Sequence, residues 1–211
     1  MYYIAKFVVK VFFKILYGLH FEGRENIPKD TTVIYACNHR SNADPPLLGA
    51  GGRGKFAFMA KEELFRNKLF AWLIRSLGAF PVARGKGDTG VIDTAVERLN
   101  SGRSLMIFPE GTRSKDGKVG KGHTGAALIA VRSDKPIIPV GICYGEKLKF
   151  RTPLTVKYGK PIYPEEYCEI SDNPNPRQLV KLKNRYMADI KLLVEGEPQA
   201  NEDKKEENAD E

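Results

Sequence analysis

Cysteine is scarce in this chain: Cys37, Cys143 and Cys168 are the only three in 211 residues. An odd number at wide spacings builds no disulfide framework and matches no zinc-ligand pattern, so the thiols read as reduced, as in a cytoplasmic compartment. Histidine is equally sparse, with His20, His39 and His123. Long uninterrupted apolar runs are missing too. The longest apolar stretch, residues 1–19, is broken by Lys6, Lys10 and Lys14. A spanning helix needs about 20 predominantly apolar residues, and a mid-span lysine costs about 2.5–3.5 kcal/mol, so this stretch does not read as a span. Nor are its basic residues gathered ahead of an apolar run, as in a secretory signal. There is no internal repeat, no recognisable RNA- or DNA-binding motif and no G-x-S-x-G nucleophile elbow.

What remains for the N-terminus is an interfacial role or, alternatively, a helix packed on the protein's own core. Three lysines four residues apart form one stripe on a helix, predicting lysines toward headgroups and Phe7, Phe12, Phe13 and Leu16 toward acyl chains. The charge distribution agrees with an anionic surface. The formal net charge is +8, but residues 195–211 hold eight acidic and two basic side chains, leaving +14 on the rest. The chain therefore divides into an interfacial helix over 1–22, a domain over 23–195 and an acidic, disordered tail over 196–211.

Within the domain, strand and helix patterns alternate. "TTVIYAC", "KFAFMA", "AFPVA", "SLMIFP", "PIIPVGICYG" and "LTVKYG" read as strands. Helices are predicted for "ADPPLLGAGG" in part, "KEELFRNKLFAWLIRSLG" with Gly78 as its stop, "DTGVIDTAVERLNSG" capped by Asp88 or Thr89, "GHTGAALIAVRSD", and 175–195. The expected fold is a single α/β domain, a mixed central sheet flanked by helices on both faces. "GAGGRG", Gly49–Gly54, matches a dinucleotide fingerprint and nearly a P-loop. Its order is inverted, helix before and strand after, so a flexible connection is expected rather than a nucleotide site.

Four clusters stand at strand ends or on strands. "NHRSNAD" carries His39 and Asp44, "GAFPVAR" carries Arg84, "FPEGTRS" carries Glu110, Gly111, Thr112 and Arg113, and "IIPVGI" carries Pro139. Ligand sites in α/β sheets lie beyond the strands' carboxyl ends, where these clusters could converge. A histidine supplies a base near neutral pH and an aspartate can fix its tautomer. The arginines offer planar forks for a phosphate, and Glu110 can accept a hydrogen bond from a hydroxyl. In isolation His39 and Asp44 would pass for turn residues. Ser41, between them and without an elbow, reads as a turn residue rather than a nucleophile.

These four motifs, in order over residues 38–141, resemble those of the glycerolipid acyltransferases typified by 1-acyl-sn-glycerol-3-phosphate acyltransferase. The resemblance implies acyl transfer from acyl-CoA or acyl carrier protein to the free hydroxyl of lysophosphatidic acid, giving phosphatidic acid in phospholipid biosynthesis. It implies no cofactor beyond that co-substrate, no metal, and a place on the cytoplasmic face of the cell membrane. Carried onto this chain, His39 is the general base, Asp44 its orienting partner, and Arg84, Glu110, Gly111, Thr112 and Arg113 the glycerol-phosphate site, with Lys61 nearby. Pro139 belongs to a motif linked to the acyl chain or to packing. "GKGHTGAALIA" is longer than the family's usual stretch and places His123 beside the site. Acceptors such as glycerol 3-phosphate or another lysophospholipid remain open, and a basic nucleic-acid-binding module is the competing class.

Overall fold

The computed structural model describes residues 2–82, 89–145, 148 and 150–196. The strands are β1 (His20–Glu22), β2 (Ile34–Cys37), β3 (Lys55–Lys61), β4 (Ala79–Val82), β5 (Arg103–Ile107), β6 (Ile137–Cys143) and β7 (Thr155–Tyr158). They form one sheet in the order β1-β7-β6-β2-β5-β3-β4. All pairings are parallel except β6 with β7, so the sheet is mixed, as the sequence predicts. The helices are α1 (Tyr2–Tyr17), α2 (Asp44–Gly51), α3 (Lys68–Ser76), α4 (Thr89–Asn100), α5 (Gly125–Ser133) and α6 (Pro176–Glu195).

Side chains alternate across a strand, and the two faces of β2 therefore feed two cores. Ile34 and Ala36 pack with Leu99 of α4, Ile129 of α5 and Leu182 and Tyr186 of α6. Tyr35 and Cys37 pack with Phe13 of α1 and Leu47 and Leu48 of α2. Central strands covered on both faces read as continuous apolar runs, which is why β2 and β6 are buried almost throughout. α3 joins the α1–α2 layer, because its Ile74 packs beside Phe58 and Ala60 of β3, and Phe58 also touches the α1–α2 core.

Several expectations change. The helix predicted from residue 61 to Gly78 is split into a 3₁₀ turn, Glu62–Phe65, and α3. Asn67 makes the break by capping α3, its side chain accepting from the Phe70 amide at 3.0 Å. Gly78 ends the unit with φ 101°, where a Cβ would lie 2.0 Å from the Phe56 carbonyl oxygen. Gly49–Gly51 are the end of α2 rather than a loose connection, and Gly51 packs against Tyr158 and Phe21. Residues 20–22 join the sheet as its edge strand, a segment too short to show a period in the sequence.

The largest correction concerns α1. Lys6 and Lys10 turn toward the protein instead of away from it: Lys6 Nζ donates to the Gly52 carbonyl at the end of α2, and the two ammonium groups lie over the Phe56 and Phe21 rings. Phe13, expected among acyl chains, is buried in the core. Long lysine stems pack along apolar surface while the ammonium finds a carbonyl dipole, so a lysine stripe can mark the inner face of a helix. Phe7 and Phe12 are exposed together with Tyr3, Ile4, Val8 and Ile15. No helix of the described residues is long and apolar enough to cross a membrane. Arg84, Asp88 and the tail beyond Gly196 lie outside the described residues.

Candidate active site

Asn38 begins the site. Its side chain donates to the Ile142 carbonyl (3.1 Å) and accepts from the Ile142 amide (2.7 Å), imitating one more backbone pair between β2 and β6. The chain is thereby fixed up to the point where His39 leaves the sheet. Asp44, fully buried at the start of α2, gathers the loop around one oxygen. Its Oδ2 lies 2.7 Å from His39 Nδ1 and accepts from the Arg40 and Ser41 amides, each at 2.7 Å. With Asp44 as the acceptor of the bond to His39, the imidazole proton sits on Nδ1, leaving Nε2 as the acceptor. The Ala43 amide donates to Ser41 Oγ at 3.1 Å, a turn contact in keeping with its reading from sequence.

The "FPEGTRS" segment clasps His39 from the other side. Phe108 stacks on the imidazole with centroids 4.1 Å apart. The His39 amide donates to Glu110 Oε1 at 3.0 Å, and the His39 carbonyl accepts from the Ser114 amide at 2.8 Å. Glu110, 8% exposed, also accepts from the Gly120 amide through Oε2 at 3.0 Å. Both carboxylate oxygens are thus occupied by backbone donors. Glu110 ties the loop after β2 to two points of its own loop after β5. Gly111 holds φ 69°, and the His123 ring lies over it, 3.5 Å from where a Cβ would stand.

A cleft of about 500 Å³ opens here at the carboxyl ends of β2, β5 and β3. His39, Lys61, Glu110, Gly111, Thr112 and His123 are on its rim or wall. Much of its lining is apolar: Met59, Val82, Val91, Ile107, Phe108 and Ile129. Lys61 and Thr112 are exposed. Arg113 is exposed as well and stands beside the cleft, donating to Asn42 Oδ1 at 3.2 Å. Pro139 is buried in mid-β6, opposite Ala36 of β2, next to Gly159 and away from the cleft. Its place is one of packing.

Sequence reasoning missed Asn38, Arg40, Ser114 and the apolar wall. Arg40 donates to the Tyr144 and Gly145 carbonyls at 2.7 and 3.0 Å and lies over the Tyr144 ring, closing the side of the loop. Asn38 and Ser114 were inside the motifs, so proximity to His39 was the available signal. The apolar wall gave none, since its residues look like any core-facing positions. Among the described residues no group of three or more His, Cys, Asp or Glu could hold a metal. The three cysteines are free, and burial pushes the Cys37 thiol well up, which keeps it protonated.

A part-buried His39 held by a buried Asp44 at the carboxyl end of a central strand, opening on a largely apolar cleft, makes an enzyme of the α/β class. The chain belongs to the acyltransferase family, whose model, described as Acyltransferase, matches residues 18–143. Over most of its length the chain is similar to the 1-acyl-sn-glycerol-3-phosphate acyltransferase of Streptococcus pneumoniae, at 33% identity over 96% of this chain and 76% of that one. The Bacillus subtilis protein of that name is 28% identical over 92% and 96%. Among solved structures, the 1-acyl-sn-glycerophosphate (LPA) acyltransferase PlsC of Thermotoga maritima superposes with a TM-score of 0.75 at 30% identity, over 92% of this chain and 78% of that one.

Proposed function

We propose that this acyltransferase esterifies the sn-2 hydroxyl of 1-acyl-sn-glycerol 3-phosphate with a fatty acyl group from acyl-CoA or acyl carrier protein, forming phosphatidic acid at a membrane surface. His39 Nε2 takes the hydroxyl proton as the oxygen attacks the thioester carbonyl carbon. The carbon–sulfur bond of the tetrahedral intermediate then breaks, and the imidazolium returns the proton to the departing thiolate. A thioester is already activated, so no covalent enzyme intermediate is needed; alignment and a base suffice. Asp44 holds the tautomer and stabilises the imidazolium. Glu110 positions His39 through its backbone rather than touching substrate.

The observation that carries this reading is the His39–Asp44 pair at 2.7 Å on a cleft lined by Lys61 and by a largely apolar wall. Lys61, Thr112 and Arg113 suit a phosphate, and the wall from Met59 to Ile129 suits an acyl chain. Arg84 follows β4 and belongs to this set by its position in sequence. The outward apolar face of α1 supports docking on lipid.

The test is an acceptor comparison with labelled acyl-CoA and acyl carrier protein. Expected is phosphatidic acid from lysophosphatidic acid and far slower acylation of glycerol 3-phosphate or of a lysophospholipid lacking a phosphomonoester. A preference for either of those acceptors would overturn the assignment.

A further inference from the structure

The apolar surface of the molecule is lopsided. Among the described residues, seven exposed large apolar side chains belong to α1 and five to residues 62–76, whereas α4, α5 and α6 together expose two. α1 and α3 cover the same face of the sheet. α3 is only half seated on it: Ala71 and Ile74 are buried, while Leu69 is 77% and Trp72 58% exposed. At 3.6 residues per turn, Leu69, Trp72 and Leu73 fall on the arc opposite Ala71 and Ile74, so the helix presents a second apolar stripe outward. Contiguous outward apolar surface marks an interaction site.

We propose that residues 62–76 form a second membrane-docking element, resting on an anionic bilayer beside α1. The flank of α3 favours that occupant. A shallow groove of about 410 Å³ is lined by Phe65, Lys68, Trp72 and Arg75, and the Arg75 guanidinium lies 5.2 Å from the Phe65 ring centroid. An apolar stripe edged by an indole and two cations matches the boundary between acyl chains and anionic headgroups. A second copy docked patch to patch would bring like charges together on a body already carrying +14 outside residues 195–211. Two docked elements also fix tilt as well as depth, which one helix cannot do. The inference rests on the preceding reading only in taking a bilayer lipid as the acceptor.

Trp72 is the only tryptophan in the chain, so the full-length protein carries its own probe. Its emission is recorded with phosphatidylcholine vesicles, with and without phosphatidylglycerol. Expected are a blue shift and quenching by brominated acyl chains when phosphatidylglycerol is present. A Leu69→Glu, Leu73→Glu variant with an unchanged circular dichroism spectrum binds those vesicles at least about tenfold more weakly. Its turnover of monomerically dispersed acceptor is unchanged. Vesicle-bound protein with Trp72 unshifted and unquenched would leave docking to α1 alone and overturn the proposal. So would failure to bind vesicles, or blue-shifted emission without lipid from a dimer seen by sedimentation velocity. Quenching without any acyl transfer would instead remove the catalytic reading and leave this surface standing.

Discussion

His39 is held at four points: its amide by Glu110, its carbonyl by Ser114, its Nδ1 by Asp44 and its ring face by Phe108. The pairing of His39 with Asp44 was legible because a histidine and an aspartate five residues apart stood after a strand. The part played by Glu110 was not, since a sequence does not say which backbone amides a carboxylate will meet after folding. Two outcomes separate these roles. Glu110→Gln keeps the size but sets an NH₂ group against one backbone donor. It should cost about 1–3 kcal/mol in urea unfolding and lower kcat more than it changes KM. A residue that only received a substrate hydroxyl would leave the unfolding midpoint in place. Arg113→Ala, on an exposed side chain, should leave stability unchanged and raise the acceptor's KM with little effect on the donor's; equal effects on both substrates would remove it from the phosphate site.

The helices and strands were found more readily than their orientations. Period, composition and stops such as Gly78 located α2 to α6. α1 misled because lysine is amphipathic: the same stripe serves headgroups or a helix end, and only the position of the Gly52 carbonyl decides. That choice has a measurable signature. Burial, with Arg24 and Lys10 nearby, lowers the Lys6 ammonium to about 8 from 10.5. Between about pH 8 and 10.5 the unfolded chain therefore holds a proton that the folded chain has released, and this contribution to stability grows as pH rises through that window and is lost as pH falls through 8. Lys6→Met lacks it. The stability of the wild type relative to Lys6→Met should thus increase between pH 7.5 and 10, read from urea midpoints; a constant difference would place the amine in water.

The α/β class, the two covered faces and the meeting of the His39 and Glu110 motifs at one edge were all legible, because alternation of strands and helices admits few other layouts. Strand order was not, and neither was the antiparallel β7 that carries β1, since nothing local reports which strands pair. The apolar cleft is a product of that order: it needs Met59, Val82 and Ile107 from three neighbouring strands, β3, β4 and β5. His39, Lys61 and the apolar lining meet only in the assembled sheet. The most direct test of their joint purpose is the rate of phosphatidic acid formation from lysophosphatidic acid and a saturating acyl thioester, for the wild type and for His39→Ala of matched circular dichroism. Expected is measurable turnover that falls by about 10²–10⁴-fold or more in the variant. Retained turnover in His39→Ala, or no phosphatidic acid from the folded wild type with either acyl-CoA or acyl carrier protein, would contradict it.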